Sequence, residues 1–188
     1  MAKPKNRVWR RRNEGLTITT KGSKDLAGGR RLHLMVAIAY GQGIVWAEQY
    51  EKMNGAYFAR FIERNFLILF ETAGKGEKER KIFVMDNDPS QTSGKSKAAM
   101  ASLGVLMEKI PPRSPELYPI ENVFNVVRQR IQAKVKQEQI THQTWDEFVS
   151  MVKQTIWSTP RDYIDKTISN MPKRLKQIVE GKGWRTKY

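Results

Sequence analysis

Apolar and polar residues follow several distinct rhythms along this chain, and each rhythm predicts a different element. Leu32 to Tyr40 is almost unbroken apolar sequence, Gly41-Gln42-Gly43 has the composition of a turn, and Ile44 to Tyr50 resumes with β-branched and aromatic residues. Two paired strands follow from that pattern. After Asn54, which has the chemistry of an N-cap, Phe58, Phe61, Ile62, Phe66, Leu69 and Phe70 recur at helical spacing until Gly74. This helix should cover one face of a sheet. A charged loop reaching Arg80 leads into Lys81-Ile82-Phe83-Val84-Met85, a short apolar run of the kind found in a buried parallel strand. A short helix from Ser96 to Leu103 and a strand from Val105 to Ile110 come next, before Pro111-Pro112-Arg113-Ser114-Pro115 imposes an extended loop.

The second half of the chain reads as helical. From Ile120 onward, Val123, Phe124, Val127, Ile131 and Val135 make an apolar stripe, with Arg128, Arg130, Lys134 and Lys136 largely elsewhere on the helix. Trp145, Phe148, Val149, Val152 and Ile156 predict another amphipathic helix with Trp145 in the core, and Leu175, Ile178 and Val179 a last short one. Residues 1–31 differ in being polar, basic and glycine-punctuated, with one strand-like stretch at Leu16 to Thr20. They read as a basic arm or hairpin ahead of a domain spanning 32–188. Strands first, then helices alternating with strands, then a helical tail describe an α/β fold with a mixed sheet.

Composition narrows the partners. A length of 188 residues with 39% apolar content supports one domain with a sizeable core. Lysine and arginine number 34 against 19 acids, a formal charge of +15, which calls for a polyanion. Nucleic acid is favoured over a membrane because the apolar runs are short and the charge is not gathered on one amphipathic helix. The chain contains no cysteine, which excludes disulfide frameworks, zinc knuckles and thiol nucleophiles and leaves oxygen ligands for any catalysis. The N-terminus lacks the apolar segment of a secretory signal, so an intracellular, nuclear address is expected. Arg10, Arg11 and Arg12 could pass for a localisation signal, but short basic clusters are common in a chain this positive, and the three are instead candidate nucleic-acid contacts. His33 and His142 have no metal-ligand spacing, while Trp9 and Trp184, each beside basic residues, could stack on bases.

Two carboxylates stand where a buried scaffold meets a loop. Asp86 ends the apolar strand, the place where open α/β sheets put their ligand sites, and Glu121 starts a helix, with 34 residues between the two. Such a pair can converge on a hard cation of the kind used in two-metal phosphoryl transfer. Each also has a structural reading: Asp86-Asn87-Asp88-Pro89 is a common turn composition, and Glu121 suits a helix N-terminus electrostatically. Lys95, Lys97 and Arg113 flank these loops, where they would meet phosphates if the loops converge and are otherwise ordinary solvated charge.

The sequence around the two acids decides between the readings. Met85-Asp86-Asn87-Asp88-Pro89-Ser90-Gln91-Thr92-Ser93 and Ser114-Pro115-Glu116-Leu117-Tyr118-Pro119-Ile120-Glu121-Asn122-Val123-Phe124 resemble two signature blocks of Tc/mariner transposases, at the family's separation. Val8-Trp9-Arg10-Arg11 is similar to the family's hairpin, and Ser169-Asn170-Met171-Pro172-Lys173-Arg174 with the stretch from Gly181 to Tyr188 to its usual terminus. The resemblance implies a ribonuclease H-like mixed sheet flanked by helices, with Asp86 and Glu121 as catalytic ligands of Mg²⁺ or Mn²⁺. It implies DNA as partner, a second transposase copy as a further candidate partner, and no membrane or small-molecule substrate. Where the family often has histidine this chain has Gln91, which keeps a hydrogen-bonding side chain but loses an imidazole. The family's first aspartate lies on a central strand upstream of the Trp9 block, and this chain begins too late to contain it. Two apolar strand edges should therefore lie uncovered, and the chain alone should not cut DNA. The alternative is a catalytically inactive DNA-binding remnant or a domesticated, non-enzymatic protein.

Overall fold

The strands, helices and turns of a computed structural model follow the sequence rhythms closely, and it describes residues 31–74, 80–111 and 114–181. The chain divides into two units, Met1–Leu32 and His33–Tyr188, and every described strand and helix belongs to the second. Apart from Arg31, the arm expected over 1–31 lies outside the described residues.

Strands β1 (His33–Ala39) and β2 (Gly43–Tyr50) pair antiparallel around the predicted glycine turn, with a bulge between Ala37 and Ile38. Gly41 and Gly43 take φ of 76° and 78°, the left-handed region that a residue with a Cβ enters only at a cost. Helix α1 (Gly55–Thr72) starts on Asn54, whose side-chain oxygen accepts the Tyr57 N–H at 2.9 Å. Its Phe58, Phe61, Ile62, Phe66, Leu69 and Phe70 are buried as their spacing requires. Phe66 packs edge-on to Phe58, Phe61 and Phe70 and lies 5.0 Å, ring to ring, from Phe83. Strand β3 (Lys81–Met85) pairs in parallel with β4 (Val105–Lys109) through the crossover helix α2 (Gly94–Ser102). Together with Val45 and Met85, the residues of α1 and α2 make the first core.

A single-turn 3₁₀ helix, Pro115–Leu117, leads into α3 (Pro119–Gln137), followed by α4 (Trp145–Trp157), α5 (Arg161–Ser169) and α6 (Met171–Glu180). Helices α3 and α5 touch β1, and α4 and α5 touch β2, so the hairpin is covered by this helical group. Ile120, Val123, Val127, Met151, Val152, Ile156 and Ile164 are buried in it. Thr144 and Glu147 form a capping box at the start of α4.

The described strands form two two-stranded sheets, antiparallel β1-β2 and parallel β3-β4, as expected of a mixed sheet without its central strand. Three expectations need correction. Strand β3 is not buried on both faces: Ile82 and Val84 are 43% and 48% exposed, and both border a cavity. Trp145 is half-buried against Phe148, near the start of its helix and away from the centre of the stripe. Finally, α5 has no counterpart among the predicted elements, and the stripe on α6 is open, with Leu175 and Val179 49% and 78% exposed.

Candidate metal centre and nucleic-acid interface

Asp86 follows the last residue of β3, and its loop is held by side chains that the sequence places within a few positions. The Asp88 backbone N–H donates to Asp86 Oδ1 at 3.1 Å, a short Asx-type turn. Asp88 is committed to the loop itself, accepting the Ser90 N–H at 2.8 Å and the Ser90 hydroxyl on the same oxygen. The Asn87 side chain donates to the Ile110 carbonyl at 2.7 Å, and the Ile110 N–H donates to the Met85 carbonyl at 2.9 Å. Those two bonds lock the ends of β3 and β4 together. Asp86 is left exposed, with its position fixed and its charge turned to solvent.

The rest of this loop is anchored on α1. The fully buried Ser96 hydroxyl lies 2.6 Å from the Ser90 carbonyl oxygen and 2.7 Å from the Ser93 hydroxyl. Ser93 in turn crowds Gly55 so closely that a Cβ on Gly55 would collide with its hydroxyl. The side-chain oxygen of Gln91 is buried with no hydrogen-bond partner.

Glu121 sits in the first turn of α3, where Pro119 occupies a position that needs no N–H. Tyr118, just before the helix, connects the two acids. Its phenol is pushed up to about 12, first by burial, then by the negative charge of Asp86 and that of Glu121, while a hydrogen bond from the Asp86 backbone opposes the rise. The phenol therefore senses both carboxylates and stays neutral at physiological pH. Sequence reasoning misses Tyr118, although its place three residues before Glu121 in the Pro-rich block is a usable signal.

The donor set suits a hard cation: two carboxylates supply oxygen, and the chain has no cysteine to offer a thiolate. Among the described residues no group of three or more histidines or acids gathers as a ligand cluster. His33 stacks at a tilt on Tyr50, with ring centroids 5.5 Å apart, and His142 lies exposed before α4. Lys95 and Lys97 project from the first turn of α2, exposed, eight or more positions beyond Asp86. Arg10, Arg11, Arg12 and Arg113 lie outside the described residues. On α3, Arg128 donates to Asn125 at 3.0 Å and Arg130 to the Ser158 carbonyl at 2.8 Å, so part of the basic surface is tied to the fold. No described helix is long and apolar enough to cross a membrane.

Residues 2–144 match a family model described as DDE superfamily endonuclease. The chain is 30% identical over 108 residues to the Tcb2 transposase of Caenorhabditis briggsae, a match covering 57% of this chain and 37% of that protein. It is 27% identical over 107 residues to the Tc1 transposase of Caenorhabditis elegans, again over 37% of the relative, so it spans well under half the length of either. Among solved structures, the catalytic domain of Mos1 mariner transposase aligns over 83% of this chain and 82% of its own, with a TM-score of 0.66 and 14% identity. A pre-cleavage Mos1 transpososome aligns over 96% of this chain and 52% of its own, with a TM-score of 0.73 and 16% identity. The Mos1 catalytic domain is also known with Mn and with Mg. At these identities the likeness establishes the fold, the ribonuclease H-like α/β arrangement.

Proposed function

The chain belongs to the DDE superfamily endonuclease family, and we propose that it serves as the catalytic part of a DNA transposase of the Tc/mariner kind. In that role the complete enzyme cuts transposon ends by phosphodiester hydrolysis and joins the freed 3′-hydroxyl to target DNA. The observation that carries this reading is the match of residues 2–144 to the endonuclease family, supported by Asp86 and Glu121, from different elements, both lying near enough to the Tyr118 phenol to raise its proton affinity. Asp86 and Glu121 would hold Mg²⁺ or Mn²⁺. When bound, such an ion stabilises negative charge on the attacking and leaving oxygens of a phosphodiester.

The chain's own residues have separable tasks. Asp88 and Asn87 shape and anchor the loop, so that Asp86 presents a carboxylate oxygen from a fixed backbone. Tyr118, uncharged, adds a hydroxyl dipole next to the acids without adding a third negative charge. The surplus of cations, Lys95 and Lys97 among them, attracts the DNA backbone. Partners are DNA and a second copy of the chain, in keeping with Mos1, which is known in paired-end complexes. A nuclear location follows from work on DNA.

Two acids hold one ion with waters, whereas placing a second ion calls for a further bridging ligand. Residues 1–188 are therefore expected to bind Mn²⁺ weakly and DNA more firmly, without cutting it. Electron paramagnetic resonance should show bound Mn²⁺ in this chain and less in Asp86→Asn and Glu121→Gln. Undiminished binding in both variants would remove the site. In a chain extended upstream by the strand that supplies the third acid, Mg²⁺-dependent nicking of DNA carrying the parent element's ends should appear and vanish with either substitution. Robust cleavage by residues 1–188 alone, lost on Asp86→Asn, would overturn the expectation of inactivity.

A further inference from the structure

The start of α1 carries a chemistry that the proposed function does not use. Asn54-Gly55 is the chain's one Asn-Gly pair. In such a pair the backbone nitrogen after asparagine belongs to a residue without a Cβ, so it reaches the asparagine carboxamide more easily than beside a bulkier neighbour. Asn54 is exposed, lies in extended backbone just outside the helix, and its side-chain oxygen accepts the Tyr57 N–H at 2.9 Å. That N–H draws electron density from the carboxamide carbon, and the helix N-terminus favours negative charge on the oxygen. Gly55 is the first residue of α1, where an N–H makes no bond within the helix. Attack needs rotation about the Asn54 Cα–C bond, opposed by the Tyr57 bond and by the Phe58 N–H on the Asn54 carbonyl at 2.9 Å.

The same pair touches the loop that presents Asp86. The Ser96 hydroxyl lies 3.4 Å from the Gly55 carbonyl oxygen as well as 2.6 Å from that of Ser90. Ser93, bonded to Ser96, fills the space where a Cβ on Gly55 would stand. Ser90 in turn donates its N–H to Asp88. There is thus no room at Gly55 for a backbone longer by one carbon.

We propose that Asn54 is a deamidation site whose isoaspartate product releases the Asp86 loop, an age-dependent loss of the site built into the chain. The Gly55 amide nitrogen bonds to Asn54 Cγ, the bond from Cγ to the carboxamide nitrogen breaks, and the Gly55 amide proton leaves with that nitrogen as ammonia. The five-membered imide so formed takes up one water at either carbonyl. Opening at one gives aspartate, which keeps the main chain and still caps α1. Opening at the other gives isoaspartate, whose main chain runs through Cβ and Cγ and is one methylene longer just before Gly55. No oxidant, reductant or cofactor takes part. The inserted methylene drives Gly55 against Ser93 or draws its carbonyl away from Ser96, and either displacement loosens the serine bonds that hold Ser90. The consequence for metal binding rests on the function proposed above, whereas the chemistry and the loosening of the loop do not.

The test keeps the full chain for days at physiological temperature in mildly alkaline buffer, after which trypsin releases residues 53–60, between Lys52 and the bond after Arg60. That peptide should exchange NH for O in mass and accept methyl groups from isoaspartyl methyltransferase. Hydrogen exchange of Ser90, Gln91, Thr92 and Ser96, measured without metal, should quicken by at least about fivefold, the equivalent of one lost hydrogen bond. Bound Mn²⁺ should fall in step, and both should recover when the methyltransferase and its S-adenosylmethionine donor convert isoaspartate back to aspartate. Asn54→Ser keeps a cap and has no ammonia to lose, so it should not change with age. Asn54→Ala removes the cap without lengthening the chain and should leave the loop protected, which separates displacement of Gly55 from fraying of α1. The proposal is overturned if Asn54 stays intact while a free peptide of residues 50–58 converts, if isoaspartate forms and the loop keeps its protection, or if Asn54→Ala loosens the loop as much as isoaspartate does. A fresh chain that binds no Mn²⁺ would count against the metal site alone, because loop exchange decides the proposal without metal.

Discussion

Replacing Tyr118 by phenylalanine changes one oxygen and tests the electrostatic contact between the two acidic loops. In the folded chain the phenol holds its proton to about pH 12, against 10.0 for the ordinary group. Between those values the unfolded chain has lost the proton that the folded chain keeps. Stability that is fully present below pH 10 is thus lost as the pH rises toward 12. With those two values, the folded state forfeits about 1.4 kcal/mol by pH 11 and almost nothing by pH 9. The phenylalanine variant has no such term, while the remaining tyrosines and the lysines titrate in both proteins alike. The stability difference between wild type and Tyr118→Phe, from urea unfolding at pH 9 and pH 11, should therefore shift by about 1.4 kcal/mol against the wild type. A difference that does not move between the two pH values would refute the burial of Tyr118 and its contact with Asp86 and Glu121. Adding Asp86→Asn should lower the phenol's pKa, because a charge that disfavours the phenolate is gone, whereas Asp146→Asn on α4 should not.

Other perturbations probe the scaffold and the basic surface. Gly55→Ala should cost roughly 1–3 kcal/mol in thermal or urea unfolding, because its Cβ meets Ser93, whereas Gly94→Ala, with open space around it, should cost nothing measurable. The Glu147 carboxyl is held below its usual value first by the Thr144 backbone N–H and then by the Thr144 hydroxyl. Its contribution is present at neutral pH and is lost as pH falls through that lowered value, so Thr144→Ala, which removes the hydroxyl and keeps the backbone donor, should weaken but not abolish the acid dependence of helix content seen by circular dichroism. DNA binding should weaken steeply with salt and discriminate little between sequences, with a log-log slope that Lys95→Gln and Lys97→Gln together reduce by up to about 2.

Local chemistry made much of this fold legible. The strands on either side of Gly41-Gln42-Gly43, the cap at Asn54 and the phenylalanine spacing of α1 are all short-range signals, and each element lies within a few residues of its expected bounds. Helix α5 was not legible for a matching reason. Its only strong apolar residues are Ile164 and Ile168, and it depends instead on distant polar contacts. Asp165 accepts the Gly41 N–H at 2.8 Å, and the Tyr163 hydroxyl lies 3.4 Å from the Asn122 carbonyl oxygen, which it can donate to. Contacts between residues so far apart in the chain leave no periodic trace. Likewise the sequence singles out Asp86 as the strand-end acid, whereas the commitment of Asp88 to Ser90 within the loop is visible only in the structure.

The two acids belong to different halves of the scaffold. Asp86 is fastened to the β3-β4 pair by the Asn87–Ile110 and Ile110–Met85 bonds, and its loop rests on α1 through Ser93 and Ser96. Glu121 rides on α3, which packs on β1 and on the later helices. Tyr118 is where the two halves meet at the acids. The loop after β3 directs the Asp86 carboxylate and the first turn of α3 directs that of Glu121, so the distance between them depends on how the two halves are held together about Tyr118.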